Sequence, residues 1–234
     1  MASPNLECRM YESKFPKAET VVMVQTTESS EMGTIVSLVE YNNINGLIFF
    51  TETDNRPPRR SISSLFKCRS LSSPAFKVEP FEPALVLRVN SEKGCIYLSK
   101  REVKEEDAKV CKKRYYKSML VHFIMRNVAE TLSIDLEDIY TTIGWPLYRK
   151  YGHAFNALKL IANDPNSILD SITKEVKEVG PDGEEVPKMV PAVTEEMKDV
   201  LVKKIRDFVD IMGAFHELLP MDPAAFSFKD LVWA

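Results

Sequence analysis

The sequence predicts a small five-stranded β-barrel followed by an all-helical domain, and three observations carry this prediction. Short runs rich in β-branched residues recur about every ten residues over 20–51, and two more follow over 83–101. From Val103 onward, apolar residues recur at steps of three and four, which is the helical period. The 234 residues, 44% of them hydrophobic, are enough for one large domain or two small ones.

Five runs account for the barrel. They read TVVMVQTT, MGTIVSLVEY, NNINGLIFFTE, PALVLRVN and GCIYLSKR. Glycine or asparagine marks the turns among the first three, and the polar NSEKG separates the last two. We therefore assign residues 1–101 to a barrel domain that contains one long loop, 52–80, rich in proline and serine.

The long loop is basic although the chain carries a net charge of −3. Between residues 55 and 78 there are six Lys or Arg residues and no Asp or Glu, whereas the acidic excess lies in the C-terminal third. Arginines beside serines suit an RNA contact, a kinase target or a plain solvated loop. The loop composition alone leaves these three readings open.

Residues 102–217 are predicted to be helical. The run from Val103 to Leu132 lacks proline and glycine, and its inward face is expected to be formed by Tyr116, Leu120, Phe123, Ile124, Val128 and Leu132. Shorter helices follow, with Ser133 and Thr194 as expected N-caps. The charged, proline-bearing stretch 173–192 is expected to be a mobile insertion, and 218–234 is a tail without a clear period.

Catalytic, metal and membrane functions find no support in the sequence. The three histidines stand alone, and no nucleophile-elbow, zinc-protease or P-loop motif occurs. The four cysteines form no CxxC pair and are expected to be reduced thiols. The N-terminus lacks the apolar core of a signal peptide, and no apolar run nears the ~20 residues that span a bilayer. We expect a cytoplasmic non-enzyme without metal or cofactor.

Single-stranded RNA is the ligand class that best fits these patterns. A small barrel offers a sheet face with aromatic side chains for stacking and basic residues at its rim for phosphates. The candidate contacts in and beside the long loop are Phe49, Arg56, Arg59 and Arg60. A second patch, KKRYYK, adds Lys112, Lys113 and Arg114, which could equally be an ordinary solvated helix face.

Several segments resemble the alpha subunit of eukaryotic translation initiation factor 2. FPKAETVVMVQTTESSEMGTIVSLVEYNNINGLIFFTE resembles its S1-type, OB-fold barrel, and VLRVNSEKGCIYLSKREV resembles the closing strands of that barrel. YYKSMLVHFIMRNVAE and IYTTIGWPLYRKYGHAFNALK resemble its helical second domain, and WPLYRKYGHA is the most specific of these runs. The resemblance covers roughly residues 8–162 and, weakly, 194–206.

The resemblance implies a set of partners. The family's alpha subunit works with beta and gamma subunits in a factor that delivers initiator methionyl-tRNA, with GTP on gamma, to the small ribosomal subunit. Its barrel loop lies close to messenger RNA and carries a serine that stress kinases phosphorylate. The phosphorylated factor then traps its guanine-nucleotide exchange factor. A recognisable third, gamma-docking domain is not found before Ala234.

The regulatory loop departs from the family pattern. The family reads roughly Ser-Glu-Leu-Ser-Arg-Arg-Arg-Ile-Arg-Ser, where this chain has TETDNRPPRRS. Thr51 occupies the first position, Asp54 replaces the phospho-acceptor serine, and Thr53 or Ser61 would accept phosphate only with a shift. Aspartate carries one negative charge where phosphoserine carries about −1.5 to −2, so it mimics phosphate only in part.

The kinase-docking motif is also altered. The family's Lys-Gly-Tyr-Ile-Asp is here Lys93, Gly94, Cys95, Ile96 and Tyr97, without the acid. The phospho-acceptor serine and the acid of the docking motif are both absent. Their absence favours a subunit that kinases cannot switch off over one that is constitutively inhibitory. A pseudosubstrate decoy of those kinases is the alternative function, and a generic S1 RNA-binding protein would not explain WPLYRKYGHA.

Overall fold

The computed structural model describes residues 3–29, 33–52, 81–179 and 185–218. The chain divides into two compact units, one formed by Ser13–Tyr115 and the other by Met1–Glu12 together with Tyr116–Ala234. The first twelve residues belong to the helical unit, and the segment just beyond residue 101 belongs to the barrel unit.

Five strands close the barrel. They are β1 (Val21–Ser29), β2 (Gly33–Leu38), β3 (Ile44–Phe49), β4 (Glu82–Asn90) and β5 (Cys95–Ser99). Their order is β1-β2-β3-β5-β4, and every neighbouring pair is antiparallel except β3 and β5, which run parallel. This confirms the predicted five-stranded barrel. The parallel pairing of β3 with β5 joins distant segments of the chain, so no local sequence pattern predicts it.

Alternation along the strands fills the barrel interior with aliphatic side chains. The buried set is Val22, Val24, Val36, Leu38, Ile48, Ala84, Val86, Ile96 and Leu98. Gly46 on β3 is required by this packing because a Cβ there would lie 2.4 Å from Leu98 Cδ1 and 2.9 Å from Leu38 Cδ1. The outward positions of β3 and β5 include Leu47, Phe49 and Tyr97.

The helical segments follow the barrel in the order predicted. They are α1 (Glu105–Leu132), α2 (Leu136–Ile139), a π-helical turn (Tyr140–Gly144), α3 (Trp145–Tyr151), α4 (Ala154–Asn163), α5 (Pro165–Leu169) and α6 (Glu195–Leu218). Thr194 caps α6 by accepting a hydrogen bond from the Met197 N–H at 3.3 Å, as predicted. Ser133 is not an N-cap. It has φ of +54° just after α1, and Asp135 occupies the N-cap position of α2.

The buried face of α1 agrees with the prediction at four of six positions. Ile124 and Val128 are buried, and Leu120 and Leu132 pack against the core. Tyr116 and Phe123 are exposed instead, Phe123 by 54%. Other positions of the helix are also buried, namely Cys111, Tyr115, Ser118, Val121, Met125 and Ala129. Ser118 was not expected there because it is a polar residue that is buried through its hydrogen bonds.

A β-hairpin forms where an irregular insertion was expected. Strands β6 (Thr173–Val179) and β7 (Glu185–Pro191) pair antiparallel in register from Thr173 opposite Pro191 to Val179 opposite Glu185. Pro187 and Pro191 lie four residues apart, so their missing N–H groups fall on the same side of β7. An edge strand of a two-stranded sheet tolerates proline on its unpaired side. The second unit is therefore helical, as predicted, with one added hairpin.

Candidate nucleic-acid interface

The aromatic pair Phe49 and Tyr97 lies on the outside of the barrel. Leu47 of β3 pairs with Tyr97 of β5, and Phe49 follows Leu47 by two positions, so both rings stand on the same face. The rings are stacked, with centroids 5.6 Å apart and planes 8° apart. Both side chains are half-buried. Of the two rings, only Phe49 was predicted as an RNA contact. The structure gives it a partner that comes from the altered docking motif.

The long loop begins at a fixed point on the barrel. Residues Phe50–Glu52 form a short 3₁₀ turn in which Thr51 is exposed. The carbonyl of Glu52 accepts hydrogen bonds from the N–H groups of Lys100 at 2.9 Å and Arg101 at 3.0 Å. The Ser99 hydroxyl donates to the Glu52 carboxylate at 2.8 Å. The remaining predicted loop residues, Thr53, Asp54, Arg56, Arg59, Arg60 and Ser61, lie outside the described residues.

The equivalent of the docking motif runs from the β4–β5 turn into β5. Lys93, Gly94 and Cys95 are exposed, and Gly94 has φ of +65°, a conformation that favours glycine. Ile96 is buried in the barrel core. The motif therefore presents a lysine, a thiol and the Tyr97 ring to an approaching partner, while its isoleucine serves packing.

The basic patch on α1 divides into exposed and inward residues. Lys112 and Lys113 are exposed, as an RNA contact requires. Arg114 instead lies 3.7 Å from the Glu40 carboxylate and donates a hydrogen bond to the carbonyl of Val21. The prediction of Arg114 as a tRNA or ribosome contact stays a prediction. Its guanidinium is engaged within the barrel unit because it compensates a buried charge.

Glu40 is the buried acid that sequence reasoning missed. Its side chain has no exposed surface, and one oxygen accepts a hydrogen bond from the Met23 N–H at 2.9 Å. Burial, reinforced by the Glu40 charge, raises the pKa of the Cys111 thiol to about 12 and that of the Tyr41 phenol to about 12. Cys111, whose thiol donates to the Val21 carbonyl, is thus an unreactive structural thiol.

The run WPLYRKYGHA supplies part of a buried hydroxyl cluster. Ser118 Oγ lies 3.2 Å from His153 Nε2, 3.4 Å from the Tyr148 hydroxyl and 2.9 Å from the Tyr11 hydroxyl. His153 Nδ1 accepts from the Phe155 N–H, so the proton of a neutral ring is on Nε2 and points at Ser118. A nucleophilic serine needs an unprotonated nitrogen there. The cluster is therefore structural, and Ser118 is fully buried.

The N-terminal segment, residues 5–12, contacts the helices of its own unit. The Arg9 guanidinium lies 4.4 Å from the centroid of the Trp145 ring and 2.8 Å from the Glu137 carboxylate. Glu12 forms an ion pair with Arg149 at 3.3 Å. No periodic pattern could have revealed these contacts, because they join residues more than one hundred positions apart.

Two further observations bear on function. Over the described ranges, no three His, Cys, Asp or Glu side chains group as metal ligands. No helix among the described residues is both long and apolar enough to cross a membrane.

Comparison with known proteins identifies the family. A sequence profile of the eukaryotic translation initiation factor 2 alpha subunit matches residues 139–214. The homolog of that subunit in Arabidopsis thaliana is 59% identical over 204 residues, which is 87% of this chain and 56% of the relative. This chain belongs to the family of eukaryotic translation initiation factor 2 alpha subunits. A second alpha subunit from Arabidopsis thaliana is 55% identical over the same shares of both chains.

More distant alpha subunits share the sequence or the fold. Subunit 1 of the factor from Dictyostelium discoideum is 42% identical over 165 residues, covering 68% of this chain and 45% of that protein. The intact alpha subunit of the archaeal factor from Pyrococcus abyssi has the same fold, with a TM-score of 0.62 at 20% identity, covering 84% of this chain and 64% of that one. The chain spans 56% of the length of the Arabidopsis alpha subunits.

Proposed function

We propose that this chain acts as a non-enzymatic alpha subunit of the initiation factor in the cytoplasm. In this role it associates with beta and gamma subunits and contributes to delivery of initiator tRNA to the small ribosomal subunit. The observation that carries the proposal is the 59% identity to an alpha subunit homolog over 204 residues. Recovery with the gamma subunit, GTP and initiator tRNA tests it.

The barrel loop and its neighbours are the RNA contacts within this proposal. Arg56, Arg59 and Arg60 follow directly in sequence from the fixed turn at Glu52, and Phe49 stands just before that turn. Lys112 and Lys113 are a second, weaker candidate on an exposed helix face. Support comes from charge: residues 55–78 carry six basic side chains and no acidic one. A relative in Pyrococcus horikoshii was crystallised in a complex with Dim2p and ribosomal RNA, at 20% identity and a TM-score of 0.57.

We further propose that stress kinases cannot switch this subunit. Asp54 replaces the acceptor serine, and Tyr97 replaces the acid of the docking motif. In the structure the Tyr97 ring is stacked on Phe49, so the position presents an aromatic surface in place of a carboxylate. Both changes act against phosphorylation, by removing the acceptor and by removing a charge that would attract the kinase.

A phosphorylation assay with an activated stress kinase distinguishes a subunit that kinases cannot switch from one that is still phosphorylated. The chain as given should take up no stoichiometric phosphate, while the double variant Asp54→Ser, Tyr97→Asp should regain it. Stoichiometric phosphate on Thr53 or Ser61 of the unaltered chain, together with tight binding of the exchange factor, would contradict the proposal. The second candidate function, a pseudosubstrate decoy, requires instead that the unaltered chain inhibit the kinase on its normal substrate.

A further inference from the structure

The connection between β5 and α1 carries a lysine in an unfavourable place. Lys104 directly precedes α1, and its carbonyl accepts the first hydrogen bond of the helix, from the Ala108 N–H at 2.9 Å. It therefore occupies the N-cap position, where Ser, Thr, Asp and Asn are favoured because their side-chain oxygens accept from free N–H groups. A lysine side chain has no such oxygen, and its positive charge is unfavourable at the positive end of the helix dipole. The fold alone thus does not account for Lys104.

The side chain of Lys104 is accessible. It is exposed, and among the residues that the structure describes no carboxylate forms an ion pair with it. The lysines nearest to it in sequence are engaged, since Lys100 pairs with Glu82 and Lys109 pairs with Glu105. The amine of Lys104 is therefore open to a macromolecular partner.

The residues around Lys104 form a short recognition sequence. They are Val103, Lys104, Glu105 and Glu106, and all four are exposed or half-exposed. The conjugating enzyme of small ubiquitin-like modifiers reads a branched aliphatic residue, a lysine, any residue and a glutamate. An apolar patch takes the aliphatic side chain, a slot beside the catalytic cysteine takes the lysine stem, and polar groups bind the glutamate. Among the described lysines, only Lys104 has a branched aliphatic residue before it and a glutamate two places after it.

The start of α1 can open to present this sequence. The enzyme binds the four residues in an extended conformation, whereas Glu105 and Glu106 lie in the first turn of α1. The N–H groups of a first turn have no partner within the helix, and the Lys104 side chain supplies no capping oxygen for them. Val103 and Lys104 already lie outside the helix. Opening of one uncapped turn is therefore enough to expose the whole sequence.

We propose that Lys104 is a conjugation site for a small ubiquitin-like modifier. The lysine ammonium first gives one proton to solvent, and the neutral amine attacks the thioester that joins the C-terminal carbonyl of the modifier to the cysteine of its conjugating enzyme. A C–N isopeptide bond forms, the C–S bond breaks, and the cysteine leaves as a thiolate that takes the second amine proton. The product has no positive charge at the start of α1. Such a site is independent of whether the chain acts as an alpha subunit.

Incubation of the full chain with the activating enzyme, the conjugating enzyme, the modifier and ATP tests the proposal. The parent should form a conjugate whose branched peptide contains Lys104, as identified by mass spectrometry. Lys104→Arg keeps the charge but cannot be conjugated, and it should abolish this product. Glu106→Gln should slow product formation about ten- to a hundred-fold, because a hydrogen bond to a charged group is lost. Glu105→Gln removes the same charge at the position that the enzyme does not read, and it should conjugate as the parent does.

A second control comes from the β6 strand. Val176, Lys177 and Glu178 repeat the first three residues of the recognition sequence, but Val179 stands where the glutamate is required. Lys177→Arg should therefore leave the yield of conjugate unchanged.

Three outcomes would contradict this assignment. One is conjugation of Lys104→Arg as fast as the parent, which would place the modifier elsewhere, for example on Lys77 of the run FKVE outside the described residues. Another is equal rates for Glu106→Gln and Glu105→Gln, with both variants folded as judged by thermal unfolding. The third is no conjugate of the parent under conditions in which a known substrate of the same enzymes is modified.

Discussion

The guanidinium of Arg114 lies 3.7 Å from the carboxylate of Glu40, a side chain that has no exposed surface. Glu40 also accepts a hydrogen bond from Met23, and Arg114 also donates to the Val21 carbonyl. The pair thus ties the first part of α1 to β1 and to the turn after β2. Arg114, a basic residue of the KKRYYK patch, thus carries the charge that faces the buried Glu40 carboxylate.

Removing the cation should destabilise the barrel unit. Arg114→Ala leaves the Glu40 carboxylate buried without its countercharge, and we expect a loss of about 3 kcal/mol in the free energy of unfolding. Lys109→Ala, which breaks the exposed Lys109–Glu105 pair on the same helix, is the control and should cost under about 1 kcal/mol. Urea unfolding of both variants measures the difference. Equal losses would show that Arg114 is an ordinary surface residue.

Stability should fall in mild acid because of His122. Burial lowers the pKa of His122 to about 4, and its Nδ1 lies 2.9 Å from the Tyr140 hydroxyl. The folded protein therefore keeps this ring neutral while the unfolded chain protonates it below its ordinary pKa near 6.5. Stability is fully present above pH 6.5 and is lost as the pH falls towards 4, by up to about 3 kcal/mol.

The matched variant for this pH dependence is His122→Gln, which cannot titrate. Unfolding free energies measured from pH 7 to pH 4.5 should fall more steeply for the parent than for His122→Gln. Parallel curves for the two proteins would rule out His122 as the source of the acid sensitivity.

The N-terminal segment should stabilise the helical unit. Arg9→Ala removes the contact with the Trp145 ring and the ion pair with Glu137, and we expect a loss of about 1–2 kcal/mol. Arg126→Ala, which breaks the exposed pair with Glu130, should cost no more than about 0.5 kcal/mol. Amide hydrogen exchange should show faster opening of α2 and α3 in Arg9→Ala only. Unchanged protection there would mean that the segment lies on the unit without supporting it.

The loop arginines should govern how RNA binding depends on salt. Replacing Arg56, Arg59 and Arg60 with alanine should weaken binding and reduce the slope of log K against log salt by about 2, since each phosphate contact contributes about 0.7. A variant with alanine at Lys203, Lys204 and Arg206 removes the same charge from α6 and should leave the slope unchanged. If both triple variants change the slope of log K against log salt equally, the loop arginines do not contact RNA and the loop is an ordinary solvated one.

Much of the architecture could be predicted because its signals are local. β-Branched runs marked all five barrel strands, and the change of period at Val103 marked α1. The inward face of α1 was predicted in part. Ile124 and Val128 are buried as expected, whereas Tyr116 and Phe123 are apolar yet exposed and Ser118 is buried through its hydrogen bonds. The β6–β7 hairpin was taken for an insertion without structure because proline argues against a strand unless the strand is an edge.

The candidate site was predictable only in part. Phe49 is half-buried and Lys112 and Lys113 are exposed, and their contact with RNA stays a prediction. The pairing of Arg114 with Glu40 could not be predicted, because Glu40 is distant in sequence and carries no motif of its own. The stacking of Phe49 on Tyr97 depends likewise on the parallel pairing of β3 with β5. Both contacts form only when distant segments come together in the folded barrel, and local sequence patterns do not show which segments will meet.

Reconstitution with the gamma subunit shows whether this chain works as an alpha subunit. Tagged chain would be mixed with gamma subunit, GTP and labelled initiator tRNA, with GDP in place of GTP as the control. If the chain is an alpha subunit, we expect both the gamma subunit and the tRNA to be recovered with the tagged chain when GTP is present. Recovery of neither, under conditions in which a full-length alpha subunit recovers both, would contradict it.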